Sequence, residues 1–508
     1  MQKMEKFFKT NPFFWILIPI FFLLKNINIY YGFIPAGQLA WLFVRYVLAA
    51  IILHIVIYRL TGKNVYKTAF YCLLILSLYF FYSSFDEFIQ KQAWLKPFSK
   101  YRYFLPFFAI CLVVVLYFIR RMTRPPVQTI LFLNCLLCIF CLIEIIRISA
   151  KWINPPIALL GLENKVSFST NIPEHKPYPD IYFLLFDEYQ GNEGLKKDFN
   201  YDNARLIQTL RKDSFYIPKF SRANYSFTLY SMPSIFNMSY LKGDILGKTD
   251  LESFLKAHSG FNLVKNASLF GFLKRNNYTI NNLSAFLTDE SGESISQYRS
   301  ILVEKEIIES QTLFYNLTNK FAWQIGNKLW WDLTNPDDYY HGYYNKYVEK
   351  RLINEIVNPH NHRPVFTYAH FFMPHAPYLK DSTGNDVSLK YLMEGHPPAT
   401  RKALYLEYLK YSNTALIDMV GKIIKGDPES VIIIMSDHGL RDGDSTHMQF
   451  NNQFSIRIPG ADYANWPDTV DAVNMFRILL NTQFGQKLDY LPYHHSVDFN
   501  GTPKSNTQ

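Results

Sequence analysis

Cysteine is absent after residue 141: all five, Cys72, Cys111, Cys135, Cys138 and Cys141, fall in the apolar first part of the chain. The remainder therefore carries neither a disulfide nor a thiolate metal site. It needs no covalent staple, because a domain of roughly 300 residues buries about three quarters of its surface on folding. Charged residues are also scarce, at 19% of the 508 residues against 49% hydrophobic and 17% aromatic, a balance that leans toward partial membrane embedding. The net charge of +10 is scattered over both halves, with no dense basic run beside stacking aromatics, so no nucleic-acid partner is expected. No internal repeat is evident.

What is present first is a series of apolar runs, at residues 13–24, 39–57, 69–82, 103–119 and 130–146, separated by short polar or basic connections. Each can approach the roughly 20 residues that cross about 30 Å of hydrocarbon, although the first needs its flanking aromatics. The expectation is an α-helical membrane domain of about five transmembrane helices over residues 1–150. Lys3, Lys6 and Lys9 precede the first run, Arg59, Lys63 and Lys67 follow the second, and Arg120, Arg121 and Arg124 follow the fourth. The positive-inside rule puts these ends in the cytoplasm and, with five spans, everything after residue 150 outside it. The loop bearing Lys91, Lys96, Lys100 and Arg102 lies on the opposite side, with Asp86 and Glu87 beside it. No small-residue cleavage site follows the first run, which reads as an anchor.

Residues 151–179 turn to Pro, Asn, Ser and charge, the composition of a linker. Residues 180–495 read as a catalytic domain and 496–508 as a tail. Continuous apolar runs at 180–186, 365–371 and 431–435 have the pattern of strands buried on both faces of a parallel sheet, and helical stretches such as 402–424 lie between them. Alternating strands and helices predict an α/β fold. The first run leads into Asp187 and Glu188, the last into Ser436-Asp437-His438-Gly439, and the middle one into the region of His370 and His375. Ligands in open α/β sheets bind outside the carboxyl ends of the strands.

Two carboxylates, Asp187 and Asp437, and the imidazole of His438 make a donor set suited to a divalent cation such as Zn²⁺ or Mn²⁺. A hydroxyl on such a cation ionises more easily, so Thr228 could attack phosphorus or sulfur and form a covalent intermediate. His375 and His447 would stabilise the non-bridging oxygens or protonate the leaving group. His370 is a weaker third candidate that fits a hydrogen-bonded core histidine equally well. Two assignments stay open on the residues alone: Glu188 in place of Asp187, since a one-residue register shift exchanges them, and Ser231 in place of Thr228.

The order strand-Asp, Thr228-x-x-Ser231, His375-x-Pro377 and Ser436-Asp437-His438-Gly439 resembles the sulfatase-like branch of the alkaline phosphatase superfamily, which includes lipoteichoic acid synthases and lipid A phosphoethanolamine transferases. The segment Thr228-Leu-Tyr-Ser231-Met-Pro233 is similar to the nucleophile segment of the phosphoethanolamine transferases, and Pro374-His375-Ala-Pro377 to their substrate-side histidine segment. The resemblance implies a five-helix membrane domain followed by an alkaline-phosphatase/sulfatase-like α/β domain. It implies Thr228 as nucleophile and metal ligand with Asp187, Asp437 and His438, and His375 and His447 on the phosphate side. Formylglycine chemistry is not expected, because Ile235 stands where that segment needs Arg, and Ser234 stands where the transferases usually carry a disulfide cysteine.

The function so implied is transfer of a phospho-substituent from a membrane lipid donor to an envelope glycan or lipid acceptor, by a multi-pass protein of the cytoplasmic (inner) membrane with an extracytoplasmic catalytic domain. Enzyme and lipid confined to one membrane meet at a raised effective concentration. Hydrolysis of a phosphodiester or sulfate ester is the alternative, since both reactions share the first covalent step. A non-catalytic member of the fold is the third reading. The sequon Asn224-Tyr-Ser226 lies inside the proposed nucleophile loop, where a glycan would obstruct the site.

Overall fold

The computed structural model describes residues 2–92, 101–154, 160–169, 178–242, 250–286, 305–317, 336–356, 364–392, 395–441, 449–464 and 466–495. The chain divides into two compact units, Met1–Ala158 with Leu302–Pro336, and Leu159–Ile301 with Asp337–Gln508.

The first unit is helical: α1 (Gln2–Thr10), α2 (Phe14–Ile29), α3 (Ala36–Leu60), α4 (Val65–Lys91), α5 (Tyr101–Arg121) and α6 (Val127–Ile153). Helices α2 to α6 stand at the five expected apolar runs. Among the described residues, three stretches are long and apolar enough to cross a membrane by length and composition: Ala36–Leu60, Val65–Ile89 and Val127–Ile153. Helix α2 is apolar but has 16 residues, about 24 Å at 1.5 Å per residue, short of the full hydrocarbon thickness. Phe14 packs with Ala69 and Ile130, and Phe22 against Tyr46 and Phe80, so aromatic contacts fill the interhelical seams, and Asn28 of α2 donates to Glu144 of α6 at 2.7 Å. Val44, Leu48, Ile52, Phe132 and Ile146 are exposed instead, the outward apolar surface that lipid requires. At the α1–α2 junction, Asn134 donates to the carbonyls of Phe8 (2.9 Å) and Asn11 (2.8 Å), pairing groups that the end of α1 leaves open.

One segment of this unit comes from far along the chain. Residues 305–317 lie inside the 180–495 span expected to be catalytic, yet they fall in the unit of the helices. Glu309 pairs with Arg45 at 2.7 Å, Gln311 donates to Asn26 at 2.7 Å, and Asn316 donates to Ser83 at 2.8 Å. These polar links tie the short helices Glu306–Glu309 and Leu313–Asn316 to α2, α3 and α4.

The second unit is α/β. Its described strands are β1 (Gly161–Leu162), β2 (Ile181–Phe186), β3 (Phe220–Arg222), β4 (Leu241–Lys242), β5 (Thr279–Leu283), β6 (Val365–Phe371), β7 (Val431–Met435), β8 (Phe454–Arg457) and β9 (Thr469–Asp471). Five form one sheet in the order β5-β6-β2-β7-β8, parallel except for β8, and β1–β4 and β3–β9 make small pairs. The expected runs at 180–186, 365–371 and 431–435 are the three central strands, and β2 and β7 are buried at every position. Side chains alternate between faces. Leu184 and Phe186 join Ile432 and Ile434 under the long helix Pro398–Gly426, through Tyr405, Leu409, Leu416 and Ile423. On the other face Phe183 meets Phe236 and Phe476 edge-to-face, with ring centroids 5.8 Å and 5.3 Å away, which seats the helices Thr228–Asn237 and Met475–Phe484.

Candidate active site

The chemistry-bearing residues emerge where β2, β6 and β7 end side by side. Leu185 of β2 is in register with His370 of β6 and with Met435 of β7, so the next residues of all three strands open at one edge. The Asp187 amide still bonds the Phe371 carbonyl (2.9 Å), and then the chain turns abruptly: Glu188 has φ +61°, in the left-handed region. That conformation costs a non-glycine residue of order 1–3 kcal/mol. Bonds on both sides hold it, because the Glu188 amide donates to Asp437 Oδ1 (3.4 Å) and its carbonyl accepts from the Tyr405 hydroxyl (2.9 Å). The turn sends the two adjacent carboxylates to different partners.

Asp187, Asp437 and His438 converge, with one candidate ligand atom from each lying within 4.8 Å of the others, and all three are buried. His438 Nδ1–H donates to the Gly439 carbonyl (2.8 Å), which leaves the Nε2 lone pair facing inward. Nε2 lies 3.3 Å from Asp437 Oδ2, 3.7 Å from Asp187 Oδ1 and 3.4 Å from Thr228 Oγ1. Asp437 Oδ1 accepts from the His438 amide (3.0 Å), whereas Asp437 Oδ2 and Asp187 Oδ1 are buried without a hydrogen-bond partner. Lone-pair atoms turned toward one another out of contact with water repel, and a cation removes the repulsion. The donor set of two carboxylate oxygens, one imidazole nitrogen and a hydroxyl therefore fits a divalent metal.

His370 supports this cluster from behind. Its Nδ1 accepts from the Tyr368 hydroxyl (2.8 Å), so its Nε2–H points to Asp187 Oδ2 (3.3 Å) and orients Oδ1 toward the site. Burial opposes ionisation of Asp187, but positive charge on His375 and His438, when those rings are protonated, and the His370 hydrogen bond outweigh it and hold its pKa well below the usual carboxylate range. Asp437 moves the other way, raised by burial and by the nearby Asp187 charge.

Thr228 is the first residue of its helix and follows an extended Phe227, so its hydroxyl sits at the helix N-terminus beside His438. Ser231, almost one turn later, donates to the Tyr225 carbonyl (2.9 Å) within the core and does not join the cluster. Pro233 has no amide hydrogen to give the Leu229 carbonyl. The helix Asp250–Lys265 crosses there through Gly260, where an added Cβ would come 2.1 Å from that oxygen. Asn224 is buried, donating to the His494 carbonyl (2.8 Å) and accepting from the Val473 amide (2.9 Å), so its sequon is closed in the folded protein.

Glu188 turns instead to Arg441, accepting from its amide (3.0 Å) and its Nε (3.2 Å). Arg441 Nη2 in turn donates to His375 Nε2 at 2.7 Å, while His375 Nδ1 bonds the Ala376 carbonyl at 2.5 Å. In this arrangement the His375 ring is neutral. Burial favours that form, but Asp187 and Glu188 raise its pKa above the ordinary histidine value. His447 lies outside the described residues. Arg441 is the residue that motif reading passed over, although a lone cation three residues after His438 was the available signal.

No protein-family model and no curated protein sequence matches the chain. Among solved structures it is similar to the Zn complex of the C-terminal periplasmic domain of EcEptC from Escherichia coli, at 10% identity, covering 68% of this chain and 92% of that one, TM-score 0.39. It is also similar to the integral membrane protein lipooligosaccharide phosphoethanolamine transferase A from Neisseria meningitidis, at 14% identity, covering 93% of this chain and 94% of that one, TM-score 0.36. The soluble domain of the same Neisseria meningitidis enzyme matches at 14% identity over 62% of this chain and 91% of that one, TM-score 0.35. These overlaps all fall below a TM-score of 0.5, so the functional reading rests on the side-chain geometry.

Proposed function

We propose that this chain is a membrane-anchored, metal-dependent phospho-substituent transferase that works through a covalent intermediate on Thr228. The observation that carries the reading is the convergence of Asp187 Oδ1, Asp437 Oδ2, His438 Nε2 and Thr228 Oγ1 at the carboxyl edge of the sheet. These four residues would hold a divalent cation, Zn²⁺ or Mn²⁺, which when bound lowers the pKa of a hydroxyl and offsets charge on a transferring group.

The remaining chemistry falls to the chain itself. Thr228 Oγ1, its proton lost to solvent, attacks phosphorus as the bond to the leaving oxygen breaks, and the helix N-terminus behind Thr228 favours the negative charge of the ionised hydroxyl. Arg441 offers guanidinium hydrogens to the non-bridging oxygens. His375, once its Nε2 has given up the hydrogen bond from Arg441 and taken a proton, passes that proton to the leaving oxygen, and the Asp187 and Glu188 charges favour its protonated form. His447 is a further candidate on the phosphate side. An acceptor hydroxyl from a lipid or glycan then attacks the phosphothreonine, giving its proton to the His375 ring that the first step left neutral, as the bond from phosphorus to Thr228 Oγ1 breaks and frees Thr228. The apolar helices support a lipid donor held in the same membrane, and the basic helix ends support an extracytoplasmic catalytic unit in the inner membrane.

The test is intact-mass and peptide spectrometry on the purified full chain, wild type and Thr228→Ala, after incubation with a phosphoethanolamine or phosphoglycerol lipid and Mn²⁺ or Zn²⁺. An adduct on Thr228, absent from the variant, supports transfer and names the donor. Steady release of phosphate or sulfate from a model ester with no adduct moves the reading to hydrolysis.

A further inference from the structure

Residues 305–317 are built the wrong way round for a loop in water. Thr312 and Asn316 are buried, whereas Phe314 is 64% and Leu317 45% exposed. The backbone satisfies itself as well: the carbonyls of residues 305–310 and 312–314 each accept a hydrogen bond, several from the Ser310 and Thr312 hydroxyls and the Asn316 side chain. Hydrocarbon demands that pattern, because a peptide group there finds no water to pair with.

The partners of the segment give its depth. Roughly 20 helical residues cross about 30 Å of hydrocarbon, so counting from the basic ends places the layer at about residues 39–59 of α3 and 67–87 of α4. Lys305 stands at its outer limit, with its amide on Gln38 Oε1 (3.1 Å) and its ammonium 4.6 Å from the centre of the Trp41 ring, a residue favoured at that level. Glu309 then pairs with Arg45, about 9 Å below the limit on the same scale. Gln311 reaches Asn26, about 12 Å below it when α2 is counted from Phe14, and Asn316 reaches Ser83, about 6 Å below it. The chain thus descends and climbs again, and Leu313 packs on Tyr82 and Ile89, on either side of the limit at Glu87.

We propose that residues 305–317 form a re-entrant hairpin in the extracytoplasmic half of the bilayer, with Phe314 and Leu317 against lipid acyl chains. Lipid is the occupant that fits, because Phe85 and Phe88 are exposed on the same stretch of α4 and extend the outward apolar surface of the helices to the hairpin. The polar residues face inward, where Arg45, Asn26 and Ser83 already pair with them. The hairpin lies between β5 and β6 in the chain, so it gives the second unit a covalent tie to the membrane beyond the one that follows α6. This inference rests on the membrane orientation proposed above.

Photolabelling of the unmodified full chain in phosphatidylcholine liposomes decides it, with a diazirine on the lipid acyl chain in one experiment and a water-soluble diazirine in the other. Cleavage after Lys305 and Lys320 isolates the hairpin in one peptide for mass spectrometry. The acyl-chain reagent should label Phe314 and Leu317 as it labels the exposed Val44 and Leu48 of α3, and that label should be absent from Tyr490, exposed in the second unit. The aqueous reagent should give the converse. Aqueous labelling of Phe314 and Leu317 overturns the proposal, and so does their protection from both reagents, the result a second copy of the chain covering them would give. Absence of acyl-chain label from Val44 and Leu48 would instead sink the membrane reading itself, and the transferase reading fails separately, through absence of the Thr228 adduct.

Discussion

Replacing Asp437 by Asn separates the stability of the site from its chemistry. Asn keeps an oxygen at Oδ1, where the amides of His438 (3.0 Å) and Glu188 (3.4 Å) donate, and exchanges Oδ2 for an NH₂ group. That NH₂ would face His438 Nε2 at the present 3.3 Å and the unpartnered Asp187 Oδ1, turning a repulsive cluster into a hydrogen-bonded one. Two unit charges at the 4.8 Å limit of the cluster repel by about 332/(20 × 4.8), or ~3.5 kcal/mol, at an effective dielectric constant of about 20. Without metal, D437N should therefore melt above the wild type, by on the order of 5–10 °C. With metal the gap should close and, near 1,000 times the Kd, the order should reverse, because the cation then stabilises the wild type by about 4.1 kcal/mol and D437N should lose most of that gain. Thermal melts of both proteins with a chelator and across a Zn²⁺ or Mn²⁺ titration give the answer, alongside loss of Thr228 adduct formation. A chelated D437N that melts below the chelated wild type, or that responds to metal as strongly as the wild type, would refute the account of the cluster as a cation cage.

Three further outcomes are expected. His370→Phe removes the donor that orients Asp187 while keeping an aromatic ring, and should weaken metal binding by about 10–100-fold in calorimetric titration. Gly260→Ala drives a methyl group against the Leu229 carbonyl and should destabilise the second unit by about 1–3 kcal/mol in urea melts; it should also slow adduct formation by displacing the Thr228 helix. Asp427, raised to about 6 by burial and by the adjacent Asp180 carboxylate, should make stability pH-dependent. A folded-state pKa above the unfolded one gives stability that is complete below about pH 4 and lost as pH rises through about 6. Asp427 is half-exposed, so the loss should be about 1 kcal/mol after solvent screening, and Asp427→Asn should flatten the pH profile of the melting temperature.

The strands around the site were legible because central parallel strands bury both faces, which leaves uninterrupted apolar runs such as Ile181–Phe186 and Val431–Met435. Edge strands gave no such signal: β5 reads Thr-Ile-Asn-Asn-Leu, and its pairing comes from its neighbour β6. The return of residues 305–317 to α2, α3 and α4 was hidden as well, since Glu309, Gln311 and Asn316 look like ordinary polar surface until Arg45, Asn26 and Ser83 are beside them.

Within the site, residue type and strand end were enough to nominate Asp187, Asp437, His438 and Thr228. They could not choose between Asp187 and Glu188 or between Thr228 and Ser231. A left-handed backbone at Glu188 and the entry point of the Thr228–Asn237 helix separate each pair, and both depend on contacts from distant segments. Sequence alone thus determined the apolar helices, the buried sheet and the chemical character of the site, because hydrophobic periodicity and donor type are local properties of the chain. Tertiary structure alone decided which oxygen faces the cluster and which carboxylate goes to Arg441, because those are matters of direction and distance between residues as many as 253 positions apart.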